Sequence, residues 1–209
     1  MKKYIFYLMS SALFYLVSCE EAPYLDDEGL HNPQISVSKT ELLEQNSWQL
    51  FDTLLLLIDY HDMREEVNSA PTFFAVTDFS FKDLNIPLDS LYKRYPADTL
   101  RDYIFNEKIR LEDYDRDSPK LITSASGKTF QVFVRTDNDF FVDDRWSSVE
   151  PNFLYLSKVV GSVDPYGVDP LTIPAQERDL NIRAQTQGII DPNGNMLHVL
   201  SNLHTFGFN

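Results

Sequence analysis

A single cysteine, Cys19, stands in a chain of 209 residues, so no internal disulfide framework staples the fold. Glycine is scarce too: seven residues leave little material for phosphate-cradling loops. Basic side chains number 18 against 32 acidic ones, for a formal charge of −14. That balance excludes nucleic acid as a partner, because no surplus of Lys and Arg exists to neutralise phosphates. The four histidines, His31, His61, His198 and His204, lack the close spacing of a zinc site, and no spare thiol can join them. No G-x-S-x-G, H-E-x-x-H or Walker-type glycine loop occurs, so no enzyme and no cofactor is expected. Asp113, Asp115 and Asp117 alternate as calcium loops do. Ser118, however, occupies the place of the turn glycine, and the twelfth position is Ser124. That stretch, like Asp137-Asn138-Asp139 with Asp143-Asp144, reads as a solvated acidic loop, and no metal is expected.

Apolar residues at 43% and aromatics at 13% exclude a wholly disordered chain. The length suits one domain plus an appendage. The appendage is at the start. Lys2 and Lys3 precede an apolar run from Tyr4 to Val17, interrupted by Ser10 and Ser11. Such a run is shorter than the roughly 20 residues that span hydrocarbon and reads as a signal-peptide core. Leu16-Val17-Ser18-Cys19 resembles a bacterial lipobox, which implies cleavage before Cys19 and acyl chains on that residue. Several acyl chains anchor a protein essentially for good. Loss of Lys2 and Lys3 leaves 16 basic against 32 acidic side chains, a charge of −16, which anionic lipid repels. Glu20 to Asn32, acidic and containing Pro23 and Gly29, suits a tether that holds the body off the membrane. It also resembles export signals of surface lipoproteins. The expected plan is a signal peptide over 1–18, an acidic tether over 19–35 and a domain over 36–209. The expected location is the cell envelope, lipid-anchored to the outer membrane, with display at the surface.

Within the domain, Ser38-x-x-Glu41 predicts a capping box leading into Leu42 and Leu43. Apolar residues recur at helical spacing from Phe51 to Val67 and predict one mostly buried helix, with Trp48 in the core at its start. Asn68 to Pro71 ends it. Thr72 to Thr77 predicts a central strand covered on both faces, and Asp78 an N-cap for a short helix carrying Phe79, Phe81 and Leu84. Two further helices are expected over Leu88–Tyr95 and Asp98–Phe105. Leu121-Ile122-Thr123 and Thr129–Val134 predict a hairpin across Ser126-Gly127. Phe140–Val142 and Phe153–Val160 read as strands, and Asp164–Pro174 as an exposed loop. Leu180–Ile190 and Met196–Leu203 predict a last hairpin across Asp191-Pro192-Asn193-Gly194.

Several of these pieces, in this order, resemble the fasciclin-like domain, an adhesion and matrix-associated module. Its first motif, T-x-F-A-P-T-[N/D]-x-A-F, is echoed by Thr72, Phe74, Ala75, Thr77, Asp78 and Phe81, with Val76 in place of the proline and Ser80 in place of the alanine. Its last, roughly N-G-x-[I/V]-H-V-[I/L], is echoed by Asn193, Gly194 and His198-Val199-Leu200 with one extra residue. Asn106-Glu107 stands where the family carries a Tyr-His pair, and Phe140 to Pro174 is longer than the family norm. The resemblance covers about residues 36 to 209. It implies an α+β fold, a short-stranded β-sandwich or wedge with several helices packed on it. It also implies a non-catalytic adhesion or binding module for an envelope or extracellular protein or a glycan. His198, in an apolar strand, reads as structural, its ring nitrogens bonded to backbone or to the Thr72–Thr77 loop. The binding residues expected from sequence are Arg145, Trp146 and Tyr166, since flat aromatics on polar loops stack on sugars or anchor a partner. The alternative is a glycan-binding accessory, or a glycan-processing protein, of a surface uptake system.

Overall fold

The computed structural model describes residues 33–81, 87–115, 118–136, 152–164, 168 and 170–208. The chain divides after Pro33, and the unit Gln34–Asn209 holds every described helix and strand. The leader, Cys19 and the tether up to Asn32 lie outside the described residues. So do Arg145, Trp146 and Tyr166, and the strand expected over Phe140–Val142. None of the described helices is long and apolar enough to cross a membrane.

Helix α1 (Lys39–Glu44) starts at Ser38, whose hydroxyl accepts the Glu41 N–H at 3.3 Å. Helix α2 (Asp52–Tyr60) buries Leu54, Leu55, Leu57 and Ile58. The single helix expected over Phe51–Val67 is two helices, because the chain turns at His61-Asp62. Asp62 adopts a left-handed φ of 53°. Its N–H donates to Asp59 O at 3.1 Å, and that of Met63 to Ile58 O at 2.9 Å. This is a Schellman stop with aspartate in the place usually held by glycine. Helix α3 (Arg64–Ser69) then resumes. The apolar spacing runs across the break because Met63 and Val67 return to the core that α2 covers, so periodicity alone does not register the stop.

After β1 (Thr72–Ala75) comes a 3-10 turn, Asp78–Ser80. Phe79 in it is 67% exposed, contrary to the packed helix expected there. Helix α4 (Leu88–Arg94) follows. The helix expected over Asp98–Phe105 stops early: α5 is Ala97–Arg101, and Ile104–Phe105 form strand β2. Tertiary partners override helical propensity here. Buried Asp102 accepts hydrogen bonds from Ser126 Oγ and Lys128 Nζ, while Ile104 and Phe105 pair with Phe73 and Thr72. The remaining strands are β3 (Lys120–Thr123), β4 (Thr129–Thr136), β5 (Asn152–Lys158), β6 (Leu180–Ile190) and β7 (Met196–Leu200).

The seven described strands form one mixed sheet in the order β2-β1-β7-β6-β5-β4-β3, so the α+β class expected from sequence is observed. Its two ends meet. Phe105 bridges Ser124 at the hairpin after β3, and the Ala125 N–H donates to Ile104 O at 2.8 Å. Closure of this kind hides the strand edges. Inside runs a continuous chain of rings in edge, tilted or stacked contact: Phe74, Phe105, Phe130, Phe208, Tyr103 and Phe206. Burying so many large rings supplies much of the apolar driving force of so small a domain.

Candidate functional site

The two sequence motifs lie side by side, although more than a hundred residues separate them. Strands β1 and β7 run parallel, pairing Thr72 with Met196 and Phe74 with His198. His198 is fully buried and stacks on Phe74 with centroids 4.8 Å apart. Its Nδ1 accepts the Gly188 N–H at 3.1 Å. Nε2 therefore carries the ring proton and donates to Ile109 O at 2.9 Å. Burial pushes the imidazole pKa down to about 4. Both nitrogens are engaged with backbone and the ring is neutral, so it positions chain rather than moving protons. Thr72 holds the same segment from the other side: its hydroxyl donates to Glu107 O at 2.8 Å and accepts the Ile109 N–H at 2.9 Å.

The Gly188 end of this contact shapes the surface. Gly188 has a φ of +80°, and β6 makes two register shifts against β7, between Ala184 and Thr186 and between Thr186 and Ile189. Bulges of this kind re-aim side chains, and here Gln185 and Thr186 line a cleft of about 590 Å³. Its opposite wall is the loop between α1 and α2. Asn46 organises that loop, its Oδ1 accepting the N–H groups of Trp48 at 3.2 Å and Leu50 at 3.3 Å. Gln49 sits at a φ of 52°, a strained conformation for a residue with a Cβ. Trp48 is the outcome: its side chain is 81% exposed and lines the cleft. The core position expected for Trp48 is thus corrected, because four polar neighbours (Gln45, Asn46, Ser47 and Gln49) hold this stretch in a surface turn. Those neighbours were the signal in the sequence.

The first motif joins the two walls. The Asp78 N–H donates to Leu50 O at 2.8 Å, and Thr77 Oγ1 donates to Asn202 Oδ1 at 2.7 Å. Asp78 does not cap its own turn; its Oδ1 accepts the Thr53 N–H at 3.0 Å and caps α2, which has no cap of its own. Burial raises the Asp78 pKa, against the hydrogen bond from Thr53. Ala75 and Phe81 are core residues. Among the described residues that line the cleft none is charged: aliphatic side chains such as Leu43, Leu197 and Val199 meet amides and hydroxyls.

Two other buried polar clusters serve the scaffold. Lys39 Nζ donates to the carbonyls of Val67, Asn68 and Ala70 at 3.2, 2.9 and 2.8 Å, and lies 3.1 Å from Asp191 Oδ2. The other carboxylate oxygen, Asp191 Oδ1, accepts the N–H groups of Asn193 and Asn195 at 2.8 and 2.9 Å. That turn, with Gly194 at a φ of +75°, is where the expected Asn193-Gly194 signal falls. Burial pushes Lys39 down in pKa against the pull of Asp191. Burial alone would raise Asp191, but its hydrogen bonds and Lys39 hold it below the usual carboxylate value. At the other cluster, the Tyr103 hydroxyl accepts the Gly207 N–H at 2.8 Å and lies 2.6 Å from His204 Nε2. The second nitrogen of His204 is buried without a partner, and burial lowers that ring to about 3. His61 contacts Tyr95 O at 2.8 Å. No group of three or more metal-ligating side chains occurs among the described residues. Asp113 and Asp115 are described, whereas Asp117 and the acidic cluster over 137–144 are not.

No protein-family model and no curated protein matches the chain. Among solved structures it is similar to a FAS1 domain pair from the insect cell adhesion molecule fasciclin I, with a TM-score of 0.46 and 9% sequence identity. The likeness covers 76% of this chain and 45% of that one, so the chain spans a little under half the length of the domain pair.

Proposed function

We propose that this chain is a non-catalytic, fasciclin-like binding module, held at the cell envelope by acyl chains on Cys19, that engages an envelope or extracellular partner. The observation that carries the reading is the joint formed by its two motifs. Thr72 and His198 hold β1, β7 and the segment at Ile109 together. Just after β1, Thr77 and Asp78, and in β6 the Gly188 contact, flank an open cleft with an exposed tryptophan. The module is read as binding rather than converting: His198 is neutral with both ring nitrogens on backbone, and His204 is buried and neutral beside Tyr103. Concave surfaces on rigid elements, with an aromatic at the mouth, are the usual form of recognition sites.

The test begins with anchoring. Cells expressing the chain are fed a clickable palmitate analogue and fractionated. Label is expected in the envelope fraction and is lost in Cys19→Ala. Unacylated full-length chain in the cytosol refutes the anchoring, and turnover of any substrate by purified protein refutes the binding-only role.

A further inference from the structure

The proposed function leaves the partner's chemistry open, and the cleft narrows it. We infer that the Trp48 cleft is a subsite for a neutral carbohydrate; the inference rests on the binding-module reading and deepens it. Three observations carry it.

The cleft is uncharged in a chain of net charge −14. Thirty-two carboxylates crowd this protein, and none lines the cleft among the described residues. An anionic ligand finds no cation there to pair with, and a cationic one finds no carboxylate. An uncharged ligand is what remains.

The polar groups have open valences. Asn46 engages its carboxamide oxygen and Gln185 its nitrogen, which leaves the Asn46 nitrogen and the Gln185 oxygen to face solvent with the exposed hydroxyls of Ser47 and Thr186. Hydroxyls and primary amides both donate and accept, as sugar hydroxyls do. A wholly apolar occupant, such as a leucine-rich peptide, would desolvate these groups without replacing their water, at a cost that grows with each one. A polyol satisfies them.

The aromatic is exposed and held. Trp48 is 81% exposed, on a loop braced by the Asn46 carboxamide and by the left-handed Gln49. An indole face suits the C–H face of a pyranose ring, and a braced loop backbone lowers the entropy lost on binding. The volume of about 590 Å³ falls in the roughly 300–1,000 Å³ range of small-ligand sites, room for a few sugar rings.

The experiment uses the full chain in detergent with Trp146→Phe, which leaves Trp48 as the one indole. It is titrated with neutral gluco-, manno- and galacto-oligosaccharides, a uronic-acid oligomer and an acetylated leucine peptide, and binding is read by fluorescence and calorimetry. The expected result is saturable binding of at least one neutral oligosaccharide. Affinity should weaken about tenfold in Trp48→Ala, fall less in Gln185→Ala, and recover in Trp48→Phe. Melting should stay unchanged, since Trp48 lies outside the core. Absence of binding by every neutral oligosaccharide at about 10 mM, a value already weaker than most specific sites, overturns the inference; so does preference for the uronic-acid oligomer or the peptide. A photo-crosslinking residue at position 48 separates the two levels of failure. Capture of an envelope protein, insensitive to sugar, removes the carbohydrate and leaves the binding module. Neither sugar binding nor crosslinking removes both.

Discussion

Acid should unfold this protein through its two buried histidines, and the structure sets the size of the effect. His198 is lowered from 6.5 to about 4 and His204 to about 3, both because burial disfavours the imidazolium. In the unfolded chain both rings titrate near 6.5. Between pH 6.5 and 4 the unfolded state therefore binds more protons, so stability rises with pH and falls as pH drops through this window. Each ring contributes a slope approaching 1.4 kcal/mol per pH unit. From pH 6.5 to 4.5 the two together remove about 4 kcal/mol, a large part of the roughly 5–15 kcal/mol that holds such a domain folded. The melting temperature should drop by on the order of 10 °C. Urea unfolding at half-unit pH steps measures the slope. The window stays above most of the carboxylate titration. His204→Phe keeps ring volume beside Tyr103 and Phe208 and should halve the slope, whatever it does to the absolute stability. A stability curve flat between pH 6.5 and 4.5, or an imidazole proton resonance titrating near 6.5 for either ring, refutes the reasoning.

Other perturbations test the scaffold. Lys39→Met strands the Asp191 carboxylate and leaves three carbonyls without their donor; about 3–5 kcal/mol should be lost in chemical denaturation, with part regained on adding Asp191→Asn, and additive losses would refute the coupling. Asp78→Ala removes the cap of α2 and should cost about 1 kcal/mol, seen as faster hydrogen exchange at the Thr53 amide; unchanged exchange there argues against the cap. His198→Ala deletes a buried ring with two backbone bonds and should cost about 3 kcal/mol or more; an unchanged melting temperature with lost ligand binding would instead make His198 a contact residue.

Local codes were legible wherever a short stretch determines its own structure. The Ser38 cap, the hairpin across Ser126-Gly127, the turn Asp191–Gly194 and the all-buried strand of the first motif rest on hydrogen bonds and backbone preferences within a few residues. Two of the corrections lie where a distant group intervenes. Asp78 reads as the cap of the turn that follows it, yet its carboxylate accepts the Thr53 N–H of α2, whose own N-cap residue makes no side-chain bond. Asp98 to Phe105 carries a helical pattern, yet Asp102 is captured by Ser126 and Lys128 and the next residues join the sheet. Nothing local to Lys39 marks its role, which depends on carbonyls some thirty residues away and on a turn at Asp191.

By itself the sequence determined the acidic charge, the lone cysteine, the α+β class and the identity of the motif strands. Those follow from composition and nearest-neighbour chemistry. Only the tertiary structure decided that the motifs run side by side in parallel, that His198 anchors the bulge at Gly188, and that Trp48 stands at the mouth of a neutral cleft. A cleft is a relation between surfaces: its walls come from the end of α1 and the loop after it, from Thr77, and from β6 and β7. The Asp78 N–H bond to Leu50 O, just after β1, joins those walls, and no short-range pattern encodes the distance between them.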